Sequence, residues 1–220
     1  MAIFSNFTSL SELIFPSRCI GCSVLGIALC SKCRRGWNPH IYQTRLPVRD
    51  SKSNLTVTSS VLYSDIASKI LLAAKESHIK SADVLLAEAI FHSLTFILRN
   101  EWIDSLVPIP SRKSAARLRG RQFIDEICNL VSLRSDIPVR SILTHQRKVR
   151  DQSGLHIQER RNNLDGALVV QGNRGGFGRT LLVDDLVTTG ATLSEAARAL
   201  RYAGIEVVGA VTAALAQPVR

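Results

Sequence analysis

From about residue 55 onward, the chain alternates short apolar runs with longer segments in which apolar residues recur every three or four positions. The short runs predict buried strands, and the longer segments predict helices that bury one face. Strands alternating with helices are typical of an α/β fold with a mainly parallel sheet flanked by helices. The predicted strands are 55–63, Asp104–Ile109, Val139–Leu143, Ala167–Val170, Thr180–Val183 and the apolar run Ile205–Leu215, and the predicted helices are Asp65–Lys75, Ser81–Arg99, Arg121–Arg134 and Leu193–Ala203.

Length and composition exclude several classes of protein. The chain has 220 residues, enough for one α/β domain with an appendage and a substantial core. Hydrophobic residues make up 45% and charged residues 21%, which excludes disordered and collagen-like chains. No run reaches the roughly 18 apolar residues that a membrane span needs. The start of the chain lacks the basic residues and the cleavage site of a secretory signal, so we expect a cytoplasmic protein.

Four of the five cysteines form two Cys-x2-Cys pairs separated by seven residues. Pairs at this spacing present four thiolates to one tetrahedral ion, and we expect structural Zn²⁺. Two disulfides are the alternative, which a reducing compartment disfavours. Redox catalysis is disfavoured because no thioredoxin-like strand precedes either pair. The predicted ligands are Cys19, Cys22, Cys30 and Cys33, and the remaining Cys128 is expected to be buried on an apolar helix face.

The composition divides the chain into a small head and a larger domain. Residues 1–50 are predicted to hold the zinc-finger-like four-cysteine head and most of a linker, because the run Pro39–Asn54 mixes Pro, Ser, Thr, Arg and Asn. Residues 51–220 are predicted to form the main domain.

The net charge of +10 is concentrated in one part of the chain. Residues 108–163 carry twelve basic and five acidic residues, whereas residues 164–220 carry five of each. Local positive charge attracts phosphate, so this stretch indicates a polyphosphate ligand or nucleic acid as partner. A solvated basic face is the alternative.

The most informative segment is Thr180–Leu193, where an apolar strand leads to two adjacent acids and a Thr-Thr-Gly turn opens into a helix. Open parallel sheets bind ligands at the carboxyl ends of their strands. Backbone N–H groups at the helix start, together with the helix dipole and threonine hydroxyls, form a site for one phosphate. The two acids would repel that phosphate unless they hold sugar hydroxyls or a divalent ion. The predicted acids are Asp184 and Asp185, and the predicted cradle is Val187, Thr188, Thr189, Gly190, Ala191 and Thr192.

The ten residues 183–192, Val-Asp-Asp-Leu-Val-Thr-Thr-Gly-Ala-Thr, resemble the signature of the type I phosphoribosyltransferases at every position. The resemblance implies that fold, and it implies that Asp184 and Asp185 hold the 2- and 3-hydroxyls of 5-phosphoribosyl-1-pyrophosphate while 187–192 cradle its 5-phosphate. It also implies Mg²⁺ bridging the pyrophosphate and the ribose. Basic groups at the end of an early strand would hold the departing pyrophosphate, and the candidates are Ser111, Arg112 and Lys113.

Further motifs are similar to one branch of that superfamily. The four-cysteine head, the Pro-x-Pro loop followed by Arg119-Gly120, and the stretch Gln-x2-Leu-x4-Arg-x2-Asn-x2-Gly from Gln152 resemble the ComF family of competence-associated, amidophosphoribosyltransferase-like proteins. The resemblance runs from about Leu13 to Leu215. Where that family has Arg-Gly-Phe-Asn-Gln, this chain reads Arg-Gly-Arg-Gln-Phe over 119–123.

The resemblance implies two functions. The first is an enzyme that transfers a ribosyl group from phosphoribosyl pyrophosphate and releases pyrophosphate, with turnover left open. Such chemistry needs orientation and charge stabilisation but no protein nucleophile. The acceptor would be selected by a hood that residues 144–166 form over the site. The second is a non-catalytic protein that handles single-stranded DNA with DNA-uptake proteins in natural transformation, using residues 108–163 and the zinc head. Aromatic residues at 5% argue against a stacking platform for bases.

Overall fold

A computed structural model describes residues 17–49, 53–146, 166–172 and 176–217. The strands are β1 (Tyr42–Leu46), β2 (Leu55–Leu62), β3 (Ser105–Pro108), β4 (Leu143–His145), β5 (Leu168–Val170), β6 (Thr180–Val187) and β7 (Val207–Leu215). The helices are α1 (Ser31–Gly36), α2 (Asp65–Lys75), α3 (Lys80–Ile97), α4 (Lys113–Arg119), α5 (Phe123–Ser135) and α6 (Ala191–Tyr202). Among these described residues, no helix is both long enough and apolar enough to cross a membrane.

Five strands form a mixed sheet in the order β1-β2-β7-β6-β3, and β4 and β5 form a separate antiparallel pair. Within the five-stranded sheet, β1 runs antiparallel to β2, whereas β2, β7, β6 and β3 run parallel to one another. Strand β6 lies between β7 and β3, so its carboxyl end lies inside the sheet and not at an edge strand. Ligands of open parallel sheets bind at this end.

The side chains of β6 alternate between two buried clusters, as a pleated strand requires. Leu181 and Val183 join the cluster that contains α2, α3 and α5, and Leu182 joins the cluster that contains α6. The near-continuous apolar sequence of β6 follows from this burial on both faces. The predicted fold class, a mainly parallel sheet flanked by helices with a four-cysteine cluster near the N-terminus, is confirmed.

Helix α2 occupies the predicted range Asp65–Lys75. Its start is fixed because the Ser64 hydroxyl accepts a hydrogen bond from the N–H of Ala67 at 3.2 Å, which is an N-cap. The other predicted helices agree within about two residues at each end, the usual uncertainty of helix boundaries.

Two elements differ from the sequence expectations. The predicted linker contains β1, which pairs antiparallel with β2 along its whole length and buries Leu46. The strand predicted at Val139–Leu143 is wrong: Val139 makes an isolated bridge to Leu106, and the regular strand β4 begins at Leu143. After that bridge the chain leaves β3, and residues 143–145 pair with β5 instead.

Two further differences concern the ends of elements near the predicted ligand site. Helix α4 lies in the basic stretch, and it is not among the helices predicted from periodicity. Strand β6 continues to Val187, so Asp184 and Asp185 lie within the strand and not after it. Consequently the acids are not exposed: Asp184 is half-buried and Asp185 is buried.

Candidate functional site

The four cysteines of the head lie together, with their sulfur atoms all within 4.8 Å of one another. The sulfurs of Cys22 and Cys30 are 3.6 Å apart. A tetrahedral zinc ion with Zn–S bonds of about 2.3 Å needs sulfurs about 3.8 Å apart, so this donor set fits zinc. All five cysteines lie in the described part of the chain and are free thiols, so the disulfide alternative is not realised.

The backbone of the two Cys-x2-Cys turns favours a thiolate at Cys19. Burial opposes ionisation of this thiol, but N–H groups of Cys30, Cys22 and Gly21 outweigh it and lower the pKa of Cys19 to about 6. The N–H of Cys30 donates to the Cys19 sulfur at 3.4 Å. Burial raises the pKa of Cys33 to about 12, and the charge of the neighbouring Cys19 thiolate adds to this shift. A further thiolate there would lack a counter-charge. A divalent cation supplies that charge, so metal binding and deprotonation would occur together.

Helix α2 anchors the head to the main sheet. The Nζ of Lys69 donates to the carbonyl oxygen of Gly21 at 2.8 Å, inside the first Cys-x2-Cys turn. A β-carbon at Gly21 would lie 2.6 Å from the Cys33 sulfur and 3.1 Å from the Cδ1 of Ile66, so only glycine fits there. The buried head residues belong to the same hydrophobic cluster as α2. The four-cysteine cluster and α2 are therefore packed as one unit.

A pocket of about 270 Å³ lies at the carboxyl ends of β3 and β6. It brings together groups that are far apart in sequence, because neighbouring parallel strands end at the same edge of the sheet. Six of the predicted site residues line it: Asp184, Asp185, Thr188, Thr192, Ser111 and Arg112.

The two acids occupy different electrostatic environments. The Oδ2 of Asp185 accepts a hydrogen bond from the Nζ of Lys75 at 2.9 Å. The Oδ1 of Asp184 accepts one from the N–H of Asp185 at 2.9 Å. Burial, together with the neighbouring charge of Asp185, raises the pKa of the Asp184 carboxyl well above its usual range. The ammonium of Lys75 opposes this shift, so it partly offsets the repulsion between the adjacent carboxyls.

The predicted phosphate cradle is a tight turn between β6 and α6. Gly190 caps the helix with φ +73°, a conformation that favours glycine. A β-carbon there would lie 2.5 Å from the Cδ2 of Leu46, so strand β1 packs directly under the turn. Within the turn, the Thr189 hydroxyl accepts a 3.4 Å bond from the N–H of Ala191. Val187, Thr189, Gly190 and Ala191 support the pocket without lining it.

The predicted pyrophosphate segment follows β3 and enters α4. Ser111 and Arg112 are half-buried on the pocket wall. Lys113 is the first residue of α4, and its side chain lies outside the described part of the structure. Arg117 lies on α4 and is exposed.

Three polar pocket residues are not among the site residues predicted from the sequence. Lys75 comes from the end of α2, Arg119 from the end of α4, and His145 from β4. The Nε2 of His145 donates to the Pro110 carbonyl oxygen at 3.2 Å. Each residue is the last of its helix or strand, and nothing in local sequence shows that the three ends meet. Apart from Gly166, the Gln152–Gly166 motif lies outside the described residues, as does most of the predicted hood.

The chain is 34% identical over 106 residues to competence protein F of Haemophilus influenzae. The resemblance to the ComF family that the sequence motifs indicated is confirmed by this match. The alignment covers 47% of this chain and 46% of that protein, so the match spans less than half the length of its relative. No family model matches the chain.

Solved structures similar to this chain include two phosphoribosyltransferases. Orotate phosphoribosyltransferase from Aeropyrum pernix is 17% identical, with a TM-score of 0.41 over 82% of this chain and 76% of its own. An adenine phosphoribosyltransferase is 13% identical, with a TM-score of 0.44 over 84% and 89% of the two chains. Leishmania donovani UMP synthase is 19% identical, with a TM-score of 0.38 over 82% of this chain and 30% of that chain.

Proposed function

We propose that the pocket binds 5-phosphoribosyl-1-pyrophosphate together with Mg²⁺. The observation that carries this proposal is the meeting of three groups at one sheet edge: the acid pair of β6, the threonine turn before α6, and Ser111 with Arg112 after β3. These groups match the three parts of the ligand, since acids accept from ribose hydroxyls, a helix start binds a phosphate, and basic groups bind pyrophosphate.

Each part of the ligand has its proposed residues. Asp184 and Asp185 accept hydrogen bonds from the 2- and 3-hydroxyls, and residues 187–192 bind the 5-phosphate. Ser111, Arg112 and Lys113 bind the pyrophosphate. Mg²⁺, when bound with the ligand, neutralises charge on the pyrophosphate that would otherwise oppose the acids.

The proposed reaction is transfer of the ribosyl group to an acceptor nucleophile. The bond from ribose C1 to the pyrophosphate oxygen breaks, the pyrophosphate takes the electron pair, and the acceptor forms the new bond to C1. The protein orients the donor and stabilises the leaving charge, which requires no protein nucleophile. Binding of the donor and turnover are separable, so each needs its own measurement.

Titration calorimetry with phosphoribosyl pyrophosphate and Mg²⁺ tests the binding step. The intact protein should bind the donor, and the variant D184N/D185N should lose detectable binding while retaining its circular dichroism and metal content. The control D65N/E88Q removes two acids that are exposed on α2 and α3, and it should bind like the wild type. Equal affinity in the wild type and D184N/D185N would contradict the assignment of the acids.

A second candidate function is binding of single-stranded DNA, in line with the resemblance to competence protein F. The observation that favours it is the charge of the head: residues 17–37 contain the exposed cations Arg18, Lys32, Arg34 and Arg35 and no acid. DNA-uptake proteins would be the partners of such a protein. Binding through phosphate contacts weakens steeply as salt increases. An oligonucleotide affinity that does not change between roughly 50 and 200 mM salt would therefore refute this function.

A further inference from the structure

We propose that Lys75 is a positioning residue of the donor site, which acts by holding the Asp185 carboxylate oriented toward the ribose hydroxyls. This inference rests on the proposed function, because it specifies how the acid pair recognises the ribose. Sequence patterns did not indicate Lys75, and it comes from a helix more than one hundred positions before the acids.

The contact between the two residues is close and sheltered. The Nζ of Lys75 lies 2.9 Å from the Oδ2 of Asp185, and the two side chains are 33% and 9% exposed. A hydrogen bond between charged groups in such surroundings is stronger than one on an open surface. Both residues line the pocket, so the ion pair forms part of its wall.

Several contacts fix the end of α2 that carries Lys75. Its Nζ lies 5.8 Å from the centroid of the buried Phe123 ring. The next residue, Glu76, pairs with Arg119 of α4 at 3.0 Å. Earlier in the same helix, Lys69 bonds to the head. The Lys75 ammonium is thus bonded to Asp185 and lies near the Phe123 ring, while the contacts of Glu76 and Lys69 hold the helix that carries it.

The chemistry of the acid pair explains why a fixed cation is useful there. Two adjacent carboxyls in a sheltered site favour sharing one proton, and a protonated carboxyl is a poorer acceptor for a sugar hydroxyl. The basic and titratable side chains that line the pocket with the pair are Lys75 from α2, Arg119 from α4, Arg112 from the loop after β3 and His145 from β4. Of these, Lys75 bonds directly to Asp185. Its burial opposes its charge, but the carboxylates of Asp185 and Asp184 outweigh this and raise the pKa of the Lys75 ammonium.

The inference is tested by calorimetry with three ligands in Mg²⁺: phosphoribosyl pyrophosphate, ribose 5-phosphate and inorganic pyrophosphate. The variant K75M should lose about 10- to 100-fold in affinity for the two ribose ligands, the range expected for a charge-assisted hydrogen bond. Its affinity for pyrophosphate should stay within about threefold of wild type, because Asp185 contacts the ribose. The variant K75R, which keeps the charge, should recover part of the loss.

The control K80M removes an exposed lysine at the start of α3 and should bind all three ligands like the wild type. Unchanged ribose 5-phosphate affinity in K75M, with binding by the wild type intact, would overturn the inference and leave the proposed function standing. A loss confined to pyrophosphate would also overturn it, because Lys75 would then contact the ligand directly. No binding of any of the three by the wild type would overturn the proposed function and this inference together. Circular dichroism and unfolding of K75M identify any loss due to misfolding, in which case K75R decides between the outcomes.

Discussion

The packing of Leu46 beneath Gly190 makes a quantitative prediction about the turn that cradles the proposed phosphate. In G190A, the new β-carbon would lie 2.5 and 2.9 Å from two carbons of the Leu46 side chain and still closer to its Cδ1. The left-handed backbone, with φ +73°, costs alanine roughly 1–2 kcal/mol. Relief of the overlap within a packed core costs about 1–3 kcal/mol more. We therefore expect G190A to lose about 2–5 kcal/mol of unfolding free energy.

A double-mutant cycle separates the two contributions. L46A removes the atoms that the new β-carbon would meet, so G190A in the L46A background should cost only the backbone contribution, roughly 1–2 kcal/mol. The matched control is G204A, because Gly204 also has a positive φ, +78°, but open space around its β-carbon position. G204A should resemble G190A in the L46A background.

The assay is urea unfolding followed by circular dichroism at constant metal loading, with the m-value checked for each variant. Equal costs of G190A in the wild-type and L46A backgrounds would refute the packing of β1 under the turn. A cost of G190A no larger than that of G204A would refute it as well. If the packing is right, G190A should also weaken binding of phosphoribosyl pyrophosphate, because the backbone N–H groups of the turn shift.

Three further predictions concern the head, the buried charges and pH. C19S/C30S should release the metal and loosen the head, and unchanged zinc content by mass spectrometry would contradict a four-cysteine centre. The buried Arg121 side chain pairs with Asp83 at 3.0 Å, so D83A should lower the unfolding free energy by about 3–5 kcal/mol in urea. E126A removes the half-exposed second partner of Arg121 and should lower it by under about 1 kcal/mol. D184N should stabilise the ligand-free protein near pH 8, because a carboxyl whose folded-state pKa is raised favours folding only when it is protonated. This gain in unfolding free energy should shrink as the pH falls toward the ordinary pKa of Asp. A gain that grows as the pH falls would contradict the raised pKa of Asp184.

Local sequence was sufficient for features that depend on neighbouring residues. The two Cys-x2-Cys turns bring their sulfurs together because each pair needs only one turn of backbone. The range Asp65–Lys75 was predictable because a capping serine and a periodic apolar face both lie within the segment. The acids and the Thr-Thr-Gly turn were predictable because β6, the turn and α6 are consecutive.

Short elements were missed where the local signal was weak. Strand β1 reads Tyr-Gln-Thr-Arg-Leu, and it buries little until Leu46, so its pattern resembles that of a polar linker. Helix α4 has seven residues and no side-chain cap at its start, and it ends at Gly120. Strand β1 forms by pairing with β2, which local sequence does not show. A seven-residue helix is marginal in isolation, so its local signal is weak.

The sequence by itself therefore determined the type of each long element, the clustering of the four cysteines and the acid-turn-helix motif of the proposed donor site. The tertiary structure decided the contacts on which the site depends: Lys75 on Asp185, Leu46 under Gly190, and Lys69 on the Gly21 carbonyl. The physical reason is that periodicity reports which face of an element is buried, whereas these contacts depend on which strands become neighbours. That order is fixed when the whole sheet assembles, because the free energy of burial is shared among segments that are distant in the chain.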